Sequence, residues 1–284
     1  MKHLIILSSL CLGFIISNNF SAQTTHQIGS TTLTESTLIS GINLPWEVLW
    51  GPDNHIWVTS RQGSVTRINP ETGESSVVLS LSVMNGGSGE PGMLGMAMDP
   101  DWENNPKVYI VYCTGSSWNG VEHLKVFDWN GTSLVNASEL LSIPAGGIHN
   151  GSRLLFLPDE TLLMTTGDTG DGGVSSQSIN SLNGKVLRLN KDGSIPSDNP
   201  IPLNYVYSYG HRNPQGLCSG PGGIIYSSEH GQSTNDELNL IQPNRNYGWP
   251  NVEGVCNTSS ENSFCDANNV AEPVFTWTPC VAVN

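Results

Sequence analysis

One short phrase recurs four times along the chain and restricts what it can fold into. Gly51-Pro52-Asp53-Asn54-His55 leads into Ile56-Trp57-Val58-Thr59, and Asp99-Pro100-Asp101 precedes the apolar run 107–112. Leu157-Pro158-Asp159-Glu160 precedes 161–166, and Gly220-Pro221-Gly222-Gly223 precedes 224–228. Proline fixes one torsion of a turn, while Gly, Asn and Asp accept the others. The β-branched and aromatic residues that follow suit a strand. The four prolines are spaced by 48, 58 and 63 residues, and a further short strand follows at 64–68, 124–127, 185–189 and 237–241. Repeats of about 40–60 residues carrying several short strands predict a β-propeller. A β-sandwich also yields short strands, but recurrence of a single phrase favours the propeller. Helical periodicity is almost absent, and 31 Gly with 17 Pro fit a turn-rich all-β chain. The length of 284 residues allows one large domain or two smaller ones. Four repeats do not comfortably close a ring, and the last ten residues stop in mid-pattern. The expectation is a propeller lacking its last one or two blades, with exposed edge strands.

Residues 1–22 read as a secretory signal peptide. Lys2 and His3 start it, an apolar run covers 4–17, and Phe20-Ser21-Ala22 supplies small residues for cleavage. The mature chain, 23–284, is expected to be periplasmic or secreted, and no later stretch has the apolar length of a membrane span. A net charge of −14, from 25 Asp+Glu against 11 Lys+Arg, argues against nucleic acid or an anionic membrane as partner. Five cysteines remain after the signal, so pairing in an oxidising compartment leaves one thiol over. Cys256 and Cys265 bracket a polar loop and are the favoured pair. Zinc is discounted because the sequence has neither CxxC nor HExxH.

Several loops carry candidate chemistry. Ser208-Tyr209-Gly210-His211-Arg212-Asn213-Pro214-Gln215-Gly216 reads as a tight turn presenting Arg212 and Asn213. A cation that scarce either meets an anion or ties down a neighbouring carboxylate. His149, after the flexible approach Ala145-Gly146-Gly147-Ile148, suits a general base on a loop top, or else bonds a neighbouring backbone. Asp168, nineteen residues on, either orients that imidazole or caps the turn starting at Thr169. The run from Asp168 to Gly173 lacks the third ligand and closing Glu of an EF-hand and reads as a turn. Asn235-Asp236-Glu237 with the carbonyl-rich turn 244–250 forms an oxygen cluster suited to a hard cation, or simply solvated.

In order along the chain, Leu44-Pro45-Trp46-Glu47, Gly89-Glu90-Pro91-Gly92-Met93-Leu94-Gly95 and His149-Asn150-Gly151-Ser152-Arg153-Leu154 stand out. Thr166-Gly167-Asp168, Leu182-Asn183-Gly184-Lys185-Val186-Leu187-Arg188, the loop around Arg212, Ser228-Glu229-His230-Gly231, Asp236-Glu237 and Asn246-Tyr247-Gly248-Trp249-Pro250 follow. This series, spanning about 35–284, resembles the soluble pyrroloquinoline quinone (PQQ)-dependent glucose and aldose sugar dehydrogenases of the glucose/sorbosone dehydrogenase family. The resemblance implies a six-bladed propeller with PQQ in the mouth of its channel. It implies a reaction in which His149 takes the anomeric proton while hydride passes from the sugar to the quinone. Asp168 would orient His149, Glu90, Arg212 and Asn213 would contact the cofactor, and calcium would be the metal. Glu237 and the Tyr247 backbone match calcium ligands, and the carbonyls of Gly231 and Gln232 match those facing cofactor-bound calcium. A small-molecule sugar and an electron acceptor are the implied partners. Glu90 stands where Gln is common, Ser152 where Gly is usual and Gln232 where Pro is usual. A carboxylate facing the tricarboxylate PQQ is unfavourable unless protonated or turned away. The alternative is a non-catalytic extracellular propeller binding a protein or glycan, as in hedgehog-interacting proteins. A glycoside hydrolase is disfavoured because Asp168 lacks a second carboxylate partner.

Overall fold

The structure is a computed structural model that describes residues 24–84 and 89–281. The signal segment expected at 1–22 lies outside the described residues. The chain divides into two units, Met1–Ser40 and Gly41–Asn284. In the first, strands β1 (Thr24–Ile28) and β2 (Thr31–Glu35) form an exposed antiparallel hairpin.

The second unit is a β-propeller arrangement of four blades, each a four-stranded antiparallel meander. Blade I comprises β3 (Pro45–Trp50), β4 (Ile56–Ser60), β5 (Ser64–Ile68) and β6 (Ser75–Ser80). In blade II these are β7 (Met93–Met98), β8 (Lys107–Thr114), β9 (Gly120–Trp129) and β10 (Leu134–Ala145). Blade III has β11 (Leu154–Phe156), β12 (Leu162–Thr166), β13 (Lys185–Leu189) and β14 (Val206–Tyr209). Last come β15 (Pro214–Ser219), β16 (Ile225–Glu229), β17 (Asp236–Ile241) and β18 (Phe275–Trp277) of blade IV. The recurring proline turn is therefore one structural position: it joins the first strand to the second in every blade. First strands of successive blades touch, β3 with β7, β7 with β11 and β11 with β15.

The core lies between blades. Because successive strand residues point to opposite faces, β12 sends Leu162 and Met164 into the blade II–III interface and Leu163 into the III–IV interface. Likewise β8 gives Val108 and Ile110 to the blade I–II interface and Tyr109 and Val111 to the II–III interface. Sheets covered on both sides read as continuous apolar runs. Blade I has a different outer face. Val48 and Trp50 flank Leu49, which packs inward, and are 60% and 62% exposed. Val77, in register with Val48 across the sheet, is 62% exposed.

Cys256 and Cys265 form the favoured disulfide. Cys113, Cys218 and Cys280 are all free, rather than one thiol as the count suggested, because they sit on β8, on β15 and after β18. A helix, α1 (Ser259–Asn268), starts inside the disulfide loop, carries Cys265 and runs past it; hydrophobic periodicity does not reveal it. Its signal is the capping box: Thr258 accepts from the Glu261 amide, and the Glu261 side chain reaches back to Thr258. No described helix is long and apolar enough to cross a membrane.

Candidate active site

The loop between β10 and β11 carries His149. Its backbone is held in the left-handed region at His149 (φ 55°), Gly151 (φ 66°) and Ser152 (φ 78°). The Asn150 side chain clamps the approach, accepting from Gly146 N–H at 2.9 Å and donating to Gly146 carbonyl at 3.2 Å. Across from it, a Cβ on Gly167 would lie 2.1 Å from the His149 carbonyl, so only glycine lets the two backbones approach this closely.

That approach puts His149 Nδ1 2.7 Å from Asp168 Oδ1. Both residues are buried. A carboxylate only accepts, so Nδ1 carries a proton, and in the neutral ring Nε2 is the nitrogen with the free lone pair. Burial works against charge on Asp168. Hydrogen bonds from His149 and the Gly170 amide, the His149 charge and the Trp249 indole outweigh it and hold the carboxyl below its ordinary range. Asp168 Oδ1 also accepts from Gly170 N–H at 2.8 Å, so the same atom orients the imidazole and caps the turn. Asp171 accepts from the Gly173 and Ser175 amides, and the run is a turn.

The loop between β14 and β15 brings Arg212 and Asn213 alongside. Asp168 N–H donates to the Arg212 carbonyl at 2.8 Å. Trp249 joins the two: its Nε1–H donates to Asp168 Oδ2 at 2.9 Å, and the Arg212 guanidinium lies 5.4 Å from its ring centroid. Arg212 Nη1 donates to the His230 carbonyl at 3.0 Å, while its Nε is buried with no partner. Among the described residues no carboxylate pairs with this guanidinium, so the local-tether reading of Arg212 finds no partner. A half-buried cation with an orphaned donor fits an anionic cofactor. Asn213 is buried, with Oδ1 accepting from Gly151 N–H at 3.2 Å and from Gln215 Nε2 at 2.9 Å.

Glu90 lies against the same loop. Its Oε2 accepts from the His149 amide at 2.7 Å and from Asn213 Nδ2 at 3.5 Å. It lines a cavity of about 190 Å³ with Trp46, Arg61, Asn150, Gly151 and Gln215.

Glu237 and Tyr247 lie beside Arg212 and Trp249. With Glu229, Glu253 and Gly231 they line a cavity of about 10 Å³, room for a single water-sized body. Burial first, then the charges of Glu229 and Glu253, push the Glu237 carboxyl up to about 8. Three carboxylates around an ion-sized hole fit a hard cation, with Arg212 on the same wall. Asp236, the neighbour in sequence, faces elsewhere, accepting from Gly231 N–H at 3.0 Å and Val281 N–H at 2.7 Å. Gly231 carbonyl accepts from His230 Nδ1 at 2.7 Å, and the exposed Gln232 donates its amide to Glu253.

Sequence reasoning gave no role to Glu229, yet it organises the Arg212 loop. It accepts from the Arg212 amide, from the Asn213 amide at 3.2 Å and from His211 Nδ1 at 2.8 Å. His211, fully buried, is fixed by Ser208 Oγ at 2.9 Å and stacks on Tyr247 at 4.5 Å. The β15–β16 register sets Glu229 opposite Pro214, a pairing no local motif encodes.

The family model described as glucose/sorbosone dehydrogenase matches residues 42–284. The chain is 36% identical over 257 residues to quinoprotein glucose dehydrogenase B of Acinetobacter calcoaceticus, covering 79% of this chain and 54% of that protein. It is 27% identical to aldose sugar dehydrogenase YliI of Escherichia coli, over 89% of this chain and 72% of that one. Among solved structures, the PQQ-bound aldose sugar dehydrogenase of Streptomyces coelicolor superposes with a TM-score of 0.74 at 37% identity. That match covers 85% of this chain and 70% of the other. The chain thus spans about half the length of the Acinetobacter protein.

Proposed function

The chain belongs to the glucose/sorbosone dehydrogenase family, and on that premise we propose that it is an exported quinoprotein oxidising aldose sugars at the anomeric carbon with PQQ and calcium. The observation that carries this reading is the buried His149–Asp168 pair, 2.7 Å apart, beside a guanidinium that no carboxylate among the described residues neutralises. His149 Nε2 would take the proton of the anomeric hydroxyl. Asp168 would hold the imidazole in the right tautomer and stabilise its charged form. PQQ, when bound, supplies the acceptor for the sugar's two electrons. Arg212 and Asn213 would hold it, with the Arg212 charge offsetting its carboxylates. Glu90 would border the cofactor with its negative charge met by loop amides. The carbonyls of Gly231 and Gln232 would face cofactor-bound calcium, and Glu237 with the Tyr247 backbone would hold another. Support for a six-bladed ring comes from the apolar outer face of blade I, which asks for a neighbouring blade.

Reconstitution tests the proposal. Purified chain mixed with PQQ and Ca²⁺ should shift the quinone absorbance and reduce a dye only when an aldose is added. PQQ binding without sugar-dependent reduction, or no binding at all, would instead favour the extracellular binding propeller.

A further inference from the structure

His230, Asp236 and Cys280 come together around the Gly231 turn, using side chains that the His149–Asp168 pair does not. One ligand atom from each lies within 4.8 Å of the others. They are drawn from the end of β16, the start of β17 and the segment after β18, so no linear motif announces them. Asp236 is fully buried, while His230 and Cys280 are partly exposed and reachable from solvent. The donor set is one imidazole, one carboxylate and one thiol. Calcium takes oxygen alone, whereas imidazole and thiolate together suit zinc and neighbouring transition metals. Spacing agrees. Zn–N and Zn–O bonds of about 2.0–2.1 Å at a tetrahedral angle put the two ligand atoms about 3.3 Å apart. His230 Nδ1 and Asp236 Oδ1 are 3.3 Å apart.

We infer that His230, Asp236 and Cys280 form a binding site for a zinc-like divalent cation, with the fourth position open to water. Asp236 Oδ1 and Oδ2 each accept one backbone amide, from Gly231 and Val281, which fixes the carboxylate as a second shell would. On binding, the Nδ1 proton of His230 moves to Nε2 and the Cys280 thiol proton goes to solvent. The bound ion ties the β16–β17 turn to the segment following β18. It thereby steadies the His230 carbonyl on which Arg212 Nη1 rests at 3.0 Å. The inference does not rest on sugar oxidation, and its test reads cobalt absorption rather than turnover.

The test uses the full chain, stripped with a chelator and then kept in excess Ca²⁺ to fill hard-cation sites. Titration with Co²⁺ should give a thiolate-to-cobalt charge-transfer band saturating at about one equivalent, bleached by Zn²⁺. C280S should lose the band and weaken Zn²⁺ binding by at least about tenfold, the effect that even outer-shell changes produce. C218S, which removes the exposed free thiol, should keep both. Absence of the band in the unmodified chain overturns the inference, as does its survival in C280S or its loss in C218S.

Discussion

Ser152 stands in the left-handed region at φ 78°, beside His149, where a side chain is costly. Its hydroxyl donates to Glu122 Oε1 at 2.7 Å, and that bond gives the side chain a purpose. Glu122 is completely buried on β9, and burial pushes its carboxyl up to about 8 despite the Ser152 bond. The folded state therefore binds a proton that the unfolded chain, titrating near 4.5, gives up. Stability from this group is full below pH 4.5 and is lost as pH rises through about 8. E122Q cannot ionise and should escape the loss, gaining on the order of 3–5 kcal/mol relative to wild type between acid and pH 8.5. Urea midpoints at pH 5.5 and 8.5 measure this, and parallel changes in both proteins would contradict it. At this scale the sequence was informative where a loop residue is chemically scarce. His149, Asp168 and Arg212 stand out in glycine-rich loops and prove to be neighbours. Glu122 and Glu229 did not stand out. Their meaning lies in strand pairing and burial, which bring Ser152 to one and the Arg212 amide to the other.

Elements were more legible than sites. The proline turns marked the same bend in all four blades because a first-to-second strand turn must reverse the chain in few residues. Third strands at 64–68 and 185–189 fall where the apolar runs placed them. The helix α1 was missed because its residues show no apolar stripe; only Thr258-Ser259-Ser260-Glu261 announced it. That helix hangs on the Cys256–Cys265 bridge, whose partners are nine positions apart in sequence. A ring of this size contributes roughly 2.5–3 kcal/mol by restricting the unfolded chain. A C256S/C265S double variant should lower the unfolding free energy by about that much, read from denaturant melts. An unchanged midpoint would show that the loop is already constrained without the bridge.

Packing in the four-bladed unit lies between blades, so apolar side chains left in solvent on a blade mark an incomplete interface. Blade I presents Val48, Trp50 and Val77 outward, each at least 60% exposed. The 284-residue chain should therefore self-associate as concentration rises, despite a net charge of −14 that opposes it. V48T/W50T/V77T should sediment as monomer under conditions where the parent associates; equal association in both would locate the contact elsewhere. The blade framework also explains why the candidate site is assembled from three inter-strand loops. Residues 149, 168 and 212 are far apart in sequence, yet the β12 and β15 ends deliver them to one mouth. The central claim is that His149 is the base of a PQQ-dependent sugar oxidation, and one paired measurement tests it. H149A should bind PQQ with the same absorbance shift as the parent while sugar-dependent dye reduction falls by about 10²–10⁴-fold. Sugar-dependent reduction at the parental rate in H149A, with PQQ bound, would contradict the account.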